Sequence, residues 1–266
     1  MMAKFSKKDQ QGFVIIAGVL AVLLAVFIIG YQLSNKPKLD DRSCSATIVR
    51  STAIVIDRSD DTPSQTLDEI VARTKQFVAE RAEQGELVSL FEISGASRTD
   101  LKPVFSACVP QRDGSDIYEN RRKIQRQFAD RFTTPLDTAL AGKPVKSDSS
   151  PISEAVTDLS ASKYLAAPAN RLIVFSDMLQ NSDNASLYRC TSARSAIEEF
   201  RAHRAGAIER PTFRNTAVEL HMIPREGIGR DTVKCRDRFW AWFFGDNEGT
   251  DAGLTTRMLP GGARIQ

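Results

Sequence analysis

Asp57, Ser59 and Asp61 stand at alternate positions in TAIVIDRSDD (52–61), where an apolar run gives way to acids and hydroxyls. Such side chains offer only oxygen donors, the set that hard cations such as Mg²⁺, Mn²⁺ or Ca²⁺ prefer. Two other places carry related chemistry. Ser149-Ser150 leads into PISEAV, and Asp177 closes the apolar run of LIVFSDM (172–178). The only histidines are His203 and His221, which argues against a histidine-rich metal centre. Without an ion, Asp57 would cap the following helix or accept nearby backbone amides.

Elements must bring these residues together. Ala53–Ile56 is a short β-branched run that reads as a strand buried on both faces, at the centre of a parallel sheet. Ligands of open α/β sheets bind outside the carboxyl ends of such strands, where Asp57, Ser59 and Asp61 fall. Thr62-Pro63-Ser64-Gln65 resembles a capping box opening a helix over 63–84. Strands are expected at Leu87–Ile93 and Leu101–Val109, antiparallel because only the short turn 94–100 separates them. Pro103 suits an edge strand.

Further along, 115–132 reads as a helix, with Arg121, Arg122, Lys123, Arg126 and Arg131 on a solvated surface, and 133–149 as an exposed loop. Helices are expected at 151–165, 191–205 and 231–244, and strands at 171–176 and 217–223. Strands mostly alternating with helices imply an α/β, doubly wound domain with a mostly parallel sheet. The aromatic cluster Phe239, Trp240, Trp242, Phe243 and Phe244 is expected to pack the last helix against that sheet.

Before this domain, Phe13–Tyr31 carries no charge and at roughly 1.5 Å per residue nearly spans a ~30 Å hydrocarbon core. It exceeds a secretory signal's apolar region, and no A-x-A-like cleavage site follows, so it reads as an uncleaved anchor. The organisation expected is a cytoplasmic N-terminus (1–12), a transmembrane anchor (13–34), a linker (35–43), a folded domain (44–245) and a glycine-rich, loosely held tail (246–266). Lys4, Lys7 and Lys8 should stay cytoplasmic, which puts the main domain in the periplasm or cell exterior. Cys44, Cys108, Cys190 and Cys235 all follow the span without CxxC spacing, so two disulfides in an oxidising compartment are expected, with three pairings open. A net charge of +3 is too mild to argue for nucleic acid.

The order DRSDD (57–61), SSPISEAV (149–156), LIVFSDM (172–178), each motif at an element end, resembles the von Willebrand factor A (vWA) family. Its metal-ion-dependent adhesion site uses D-x-S-x-S after the first strand, a threonine before a helix, and an aspartate after the fourth strand. The resemblance implies Asp57 and Ser59 as first-loop ligands, with Asp61 in place of the last serine. It implies Ser150 for the threonine, in preference to Thr134, and Asp177 for the third-loop acid. Met178 stands where a glycine is usual. A third carboxylate, Asp61, would hold an ion more tightly and draw an acidic ligand less. The implied fold also favours the pairs Cys44–Cys108 and Cys190–Cys235.

The function expected is a membrane-anchored, extracytoplasmic protein-binding module that recognises a partner protein, with a divalent cation at the site. The alternative is a structural subunit of an envelope complex with a degenerate metal site. A metal-dependent phosphohydrolase with Asp57 as nucleophile is disfavoured, because its second aspartate would fall at Ser59, and no serine–histidine or cysteine–histidine arrangement is evident.

Overall fold

The computed structural model describes residues 7–34, 39–93, 101–114, 119–142, 147–204, 210–213, 215–245 and 254–260. The turn at 94–100, the first residues of the expected 115–132 helix, Lys4, Lys36, Lys38 and most of the tail lie outside them. The chain divides into two compact units, residues 1–39 and 40–266.

The first unit is helix α1 (Lys7–Ser34), with Gly12–Tyr31 apolar at a mean hydropathy of 3.1 and long enough to cross a membrane. From Phe13 to Tyr31 its side chains are exposed, as an apolar helix that meets lipid would leave them.

The second unit is built on strand β1 (Arg50–Asp57), buried from Ser51 to Asp57. It pairs in parallel with β2 (Leu87–Ile93) on one side and β4 (Ala169–Ser176) on the other. The antiparallel strand β3 (Phe105–Cys108) forms one edge beyond β2, shorter than the expected 101–109. On the other flank lie β5 (Thr216–Met222) and β6 (Leu254–Met258), both parallel, giving the order β3-β2-β1-β4-β5-β6. The sheet is therefore mostly parallel with one antiparallel edge, a vWA-like topology in strand order and direction.

Alternation along β1 feeds two cores. Ala53 and Val55 point to one, shared with α5 (Ile152–Ser160), α6 (Ala193–His203) and α7 (Arg230–Phe244). Ile54 and Ile56 point to the other, beneath α2 (Ser64–Glu80). Each fully buried Ile or Val contributes roughly 1.5–3 kcal/mol, which makes β1 the spine of both layers. Phe239, Trp240, Phe243 and Phe244 are buried and seat α7 on the sheet.

Four expectations need correction. Thr62 does not cap α2: Pro63 occupies the cap position, with no side-chain hydrogen bond to the helix amides. The stretch 133–149 is not all loop. Helix α3 (Arg121–Phe128), capped by Asn120, runs through a π-helical turn (Ala129–Thr133) into α4 (Thr134–Leu140). Leu136 and Leu140, four apart, give α4 a buried stripe against the α2-side core, and Pro135 follows directly on the π turn, where the helical ladder is already irregular. The helix expected over 151–165 ends at Ser160, followed by a 3₁₀ turn at Lys163–Leu165. Finally, part of the tail is ordered as β6, paired with β5 from Val218↔Leu254 to Met222↔Met258.

Both disulfides join the expected partners. Cys44–Cys108 has a Cα separation of 4.9 Å, and Cys190–Cys235 one of 5.9 Å. The first clasps the amino-terminal end of the parallel strands, where Cys108 lies opposite Leu87. The second ties the loop after β4 to α7.

Candidate functional site

Asp57, the last residue of β1, is buried, and its two oxygens are fully engaged. Oδ1 accepts from the amide (3.1 Å) and hydroxyl (2.6 Å) of Ser59. Oδ2 accepts from the hydroxyls of Ser150 (3.0 Å) and Ser176 (2.8 Å). Parallel pairing sets this meeting. Ile56 lies opposite Phe175, so the next residues, Asp57 and Ser176, leave the sheet side by side. Ser176 was not among the expected site residues, although it directly precedes Asp177 in LIVFSDM.

Asp177 is also buried. Its Oδ1 accepts from the Leu179 amide at 2.8 Å, and its Oδ2 from Nη1 of Arg225 at 2.7 Å. Burial foremost, then the Asp57 charge, push the Asp177 carboxyl above its ordinary range, against the pull of the Leu179 amide and Arg225. Met178 adopts φ +59°, a left-handed conformation in which glycine is at ease. Its amide donates to the Ser176 hydroxyl (2.8 Å), and its carbonyl accepts from Nε1 of Trp240 (2.7 Å).

The second loop is zipped to the third. The Ser150 amide donates to the Asn181 carbonyl (2.8 Å) and the Asn181 amide returns to Ser150 (3.0 Å). Helix α5 has no cap from its own preceding residue. Buried Gln180 supplies one, its Oε1 accepting from the Ser153 amide at 2.8 Å. Glu154 in turn gathers Ser153 Oγ, Gln180 Nε2, Ser182 Oγ and Asn184 Nδ2, at 2.6–2.9 Å. Burial alone would raise its carboxyl, but donors led by Ser182 and Gln180 outweigh it and hold Glu154 below the ordinary 4.5. A carboxyl depressed on folding stabilises above its unfolded value, and that stabilisation is lost as pH falls. Glu154→Ala is therefore expected to cost about 2–3 kcal/mol at pH 7. In urea denaturation the gap from wild type should narrow steadily below about pH 4.5.

Asp60, Tyr188 and Arg225 were not anticipated. Arg225, on the loop after β5, grips Asp60 through Nη1 (2.5 Å) and Nη2 (3.1 Å) while holding Asp177. Its guanidinium also lies 5.2 Å from the centre of the Tyr188 ring, whose hydroxyl donates to Asp60 (3.0 Å). Burial, then the charges of Asp177 and Asp60, push the Tyr188 phenol up. Asp61 is exposed, and with Asp57, Asp60 and Asp177 it lines a cleft of about 430 Å³. Thr134 is exposed at the start of α4.

These donor types suit a hard divalent ion. The hydroxyls of Ser59 and Ser150 give their protons to Asp57 and keep lone pairs, while Asp177 adds a carboxylate. Asp177 Oδ2, however, already faces a guanidinium.

Among solved structures, the VWA domain of SpRpn10 aligns with 80% of this chain and 91% of its own, at 11% identity and a TM-score of 0.40. An aerotolerance-related membrane protein from Bacteroides fragilis NCTC 9343, carrying multiple mutations to serines, aligns over 80% and 92%, at 12% identity and a TM-score of 0.40. The human COPII-coat protein Sec24c aligns over 80% of this chain and 30% of its own, at 11% identity and a TM-score of 0.33. No family model and no curated protein sequence matches the chain. At such scores the likenesses carry no weight of their own, and the architecture rests on strand order and register.

Proposed function

We propose that this protein is a membrane-anchored, extracytoplasmic binding module of vWA type. In this reading it recognises a partner protein at the carboxyl edge of its sheet, using a divalent cation at the site formed by Asp57, Ser59, Asp61, Ser150 and Asp177, with Asp57 acting through the hydroxyls it orients. The observation that carries the reading is the convergence of three chain segments on Asp57, through the hydroxyls of Ser59, Ser150 and Ser176. When bound, the ion would supply an electron-poor centre for a carboxylate of the partner. The protein's own part is to fix the hydroxyls, which the Asp57 carboxylate does by accepting their hydrogen bonds. The apolar helix supports anchoring, the basic residues before it support a cytoplasmic N-terminus, and two disulfides suit an oxidising compartment.

The reading is of a binding protein rather than an enzyme. His221 is bonded to Arg73, and His203 to the Glu199 carbonyl. A second reading, a structural subunit of an envelope complex with no ion, is favoured by the guanidinium already resting on Asp177.

Melting the full chain in detergent micelles against Mn²⁺ separates the two. An ion at 100 times its dissociation constant adds ~2.7 kcal/mol, a rise of roughly 5–10 °C at ~2–4 °C per kcal/mol. Capture of a partner from envelope extracts should then be lost with chelator. An unchanged melting temperature at millimolar Mn²⁺ and Mg²⁺ would favour the structural subunit.

A further inference from the structure

We infer that Arg225 is a resident cation that a divalent ion must displace, so that guanidinium and metal are alternative occupants of Asp177. The inference rests on the cation reading above and adds its regulation. A single guanidinium spans Asp177 (2.7 Å) and Asp60 (2.5 and 3.1 Å), with the Tyr188 hydroxyl at 3.0 Å from Nη1. Asp60 belongs to the same loop as Asp57 and Ser59, so Arg225 clamps the first loop to the third across the place an ion would take.

Charge makes the exchange favourable. The 430 Å³ cleft is lined by Asp57, Asp60, Asp61, Asp177 and Glu226, and among the described residues Arg225 is its only basic lining residue. Like charges cannot share one carboxylate oxygen cheaply, and a cleft this acidic draws cations in. The geometry permits exit. Arg225 is about one-third exposed, and it also borders a second, open groove of about 730 Å³ lined by Asp60, Tyr188 and Ser192. A swing into that groove would keep the guanidinium beside Tyr188 and Asp60, which both line it.

The test is Mn²⁺ titration by calorimetry on the full chain in detergent micelles, for wild type, Arg225→Ala, Arg225→Lys and Asp177→Asn. Arg225→Ala is expected to bind at least tenfold tighter than wild type, Arg225→Lys to stay near wild type, and Asp177→Asn to bind more weakly. A second readout needs no variant that risks misfolding. In arginine-labelled wild type, Mg²⁺ should shift the side-chain NMR signal that is missing from Arg225→Lys. Equal binding by wild type and Arg225→Ala would leave the cation reading standing and overturn the exchange. Weaker binding by Arg225→Ala, or a motionless Arg225 signal at saturating Mg²⁺, would overturn it too. Absence of binding by both proteins would bring down the cation reading itself, and the exchange with it.

Discussion

Asp57→Ala is expected to lower the unfolding free energy by about 3–5 kcal/mol, the usual cost of removing one member of a buried charged network. Four donors lose their acceptor at once: the Ser59 amide and the hydroxyls of Ser59, Ser150 and Ser176. The Ser59 amide is bound to stay unpaired, while the hydroxyls can turn to other acceptors only by leaving their rotamers. At ~2–4 °C per kcal/mol for a domain of this size, the melting temperature should fall by roughly 6–20 °C. Asp57→Asn should cost much less, because the amide oxygen still accepts two bonds and its nitrogen can donate to rotated hydroxyls. Thermal melts followed by circular dichroism measure both. A loss under about 1 kcal/mol for the alanine variant would mean that water replaces the carboxylate at no great expense.

Reducing the disulfides is the second large effect. Cys44–Cys108 spans 64 residues and Cys190–Cys235 spans 45. Loop-closure entropy makes each worth about 4 kcal/mol, so losing both would remove much of the ~5–15 kcal/mol on which a domain depends. The two are unequal in consequence. Opening Cys44–Cys108 frees the segment entering β1 from the end of β3, away from the acids. Opening Cys190–Cys235 loosens the loop after β4 from α7, and that loop holds Tyr188 against Asp60 and Arg225. Melting each double-serine variant beside reductant-treated wild type checks the sizes. Cys190→Ser/Cys235→Ser should in addition loosen the Tyr188 contact with Arg225 and so tighten Mn²⁺ binding, whereas Cys44→Ser/Cys108→Ser should leave it unchanged.

Much of the frame could be read from one dimension because burial leaves periodic marks. The run Ala53–Ile56 and its counterpart at Leu172–Phe175 are apolar on both faces, as only inner parallel strands are, and each runs out into an acid. What escaped had no such mark. β6 has five exposed residues and no apolar alternation, since an edge strand with solvent around it asks for none. α4 announces itself only by Leu136 and Leu140, too short a stripe to outweigh Pro135. Ser176 was hidden by its ordinariness as a strand's last residue. Arg225 was beyond reach altogether, since it meets Asp60 across 165 residues and no local pattern records which side chains face each other over that distance.

The left-handed turn at Met178 has one more consequence. A glycine would adopt φ +59° without strain, yet it would leave a hollow where the methionine side chain, 1% exposed, is packed among core residues. The thioether arm thus acts as a peg, and with it Asp177 is aimed before any visitor arrives. For any ligand of Asp177, the cost of ordering this turn is met by folding rather than by binding.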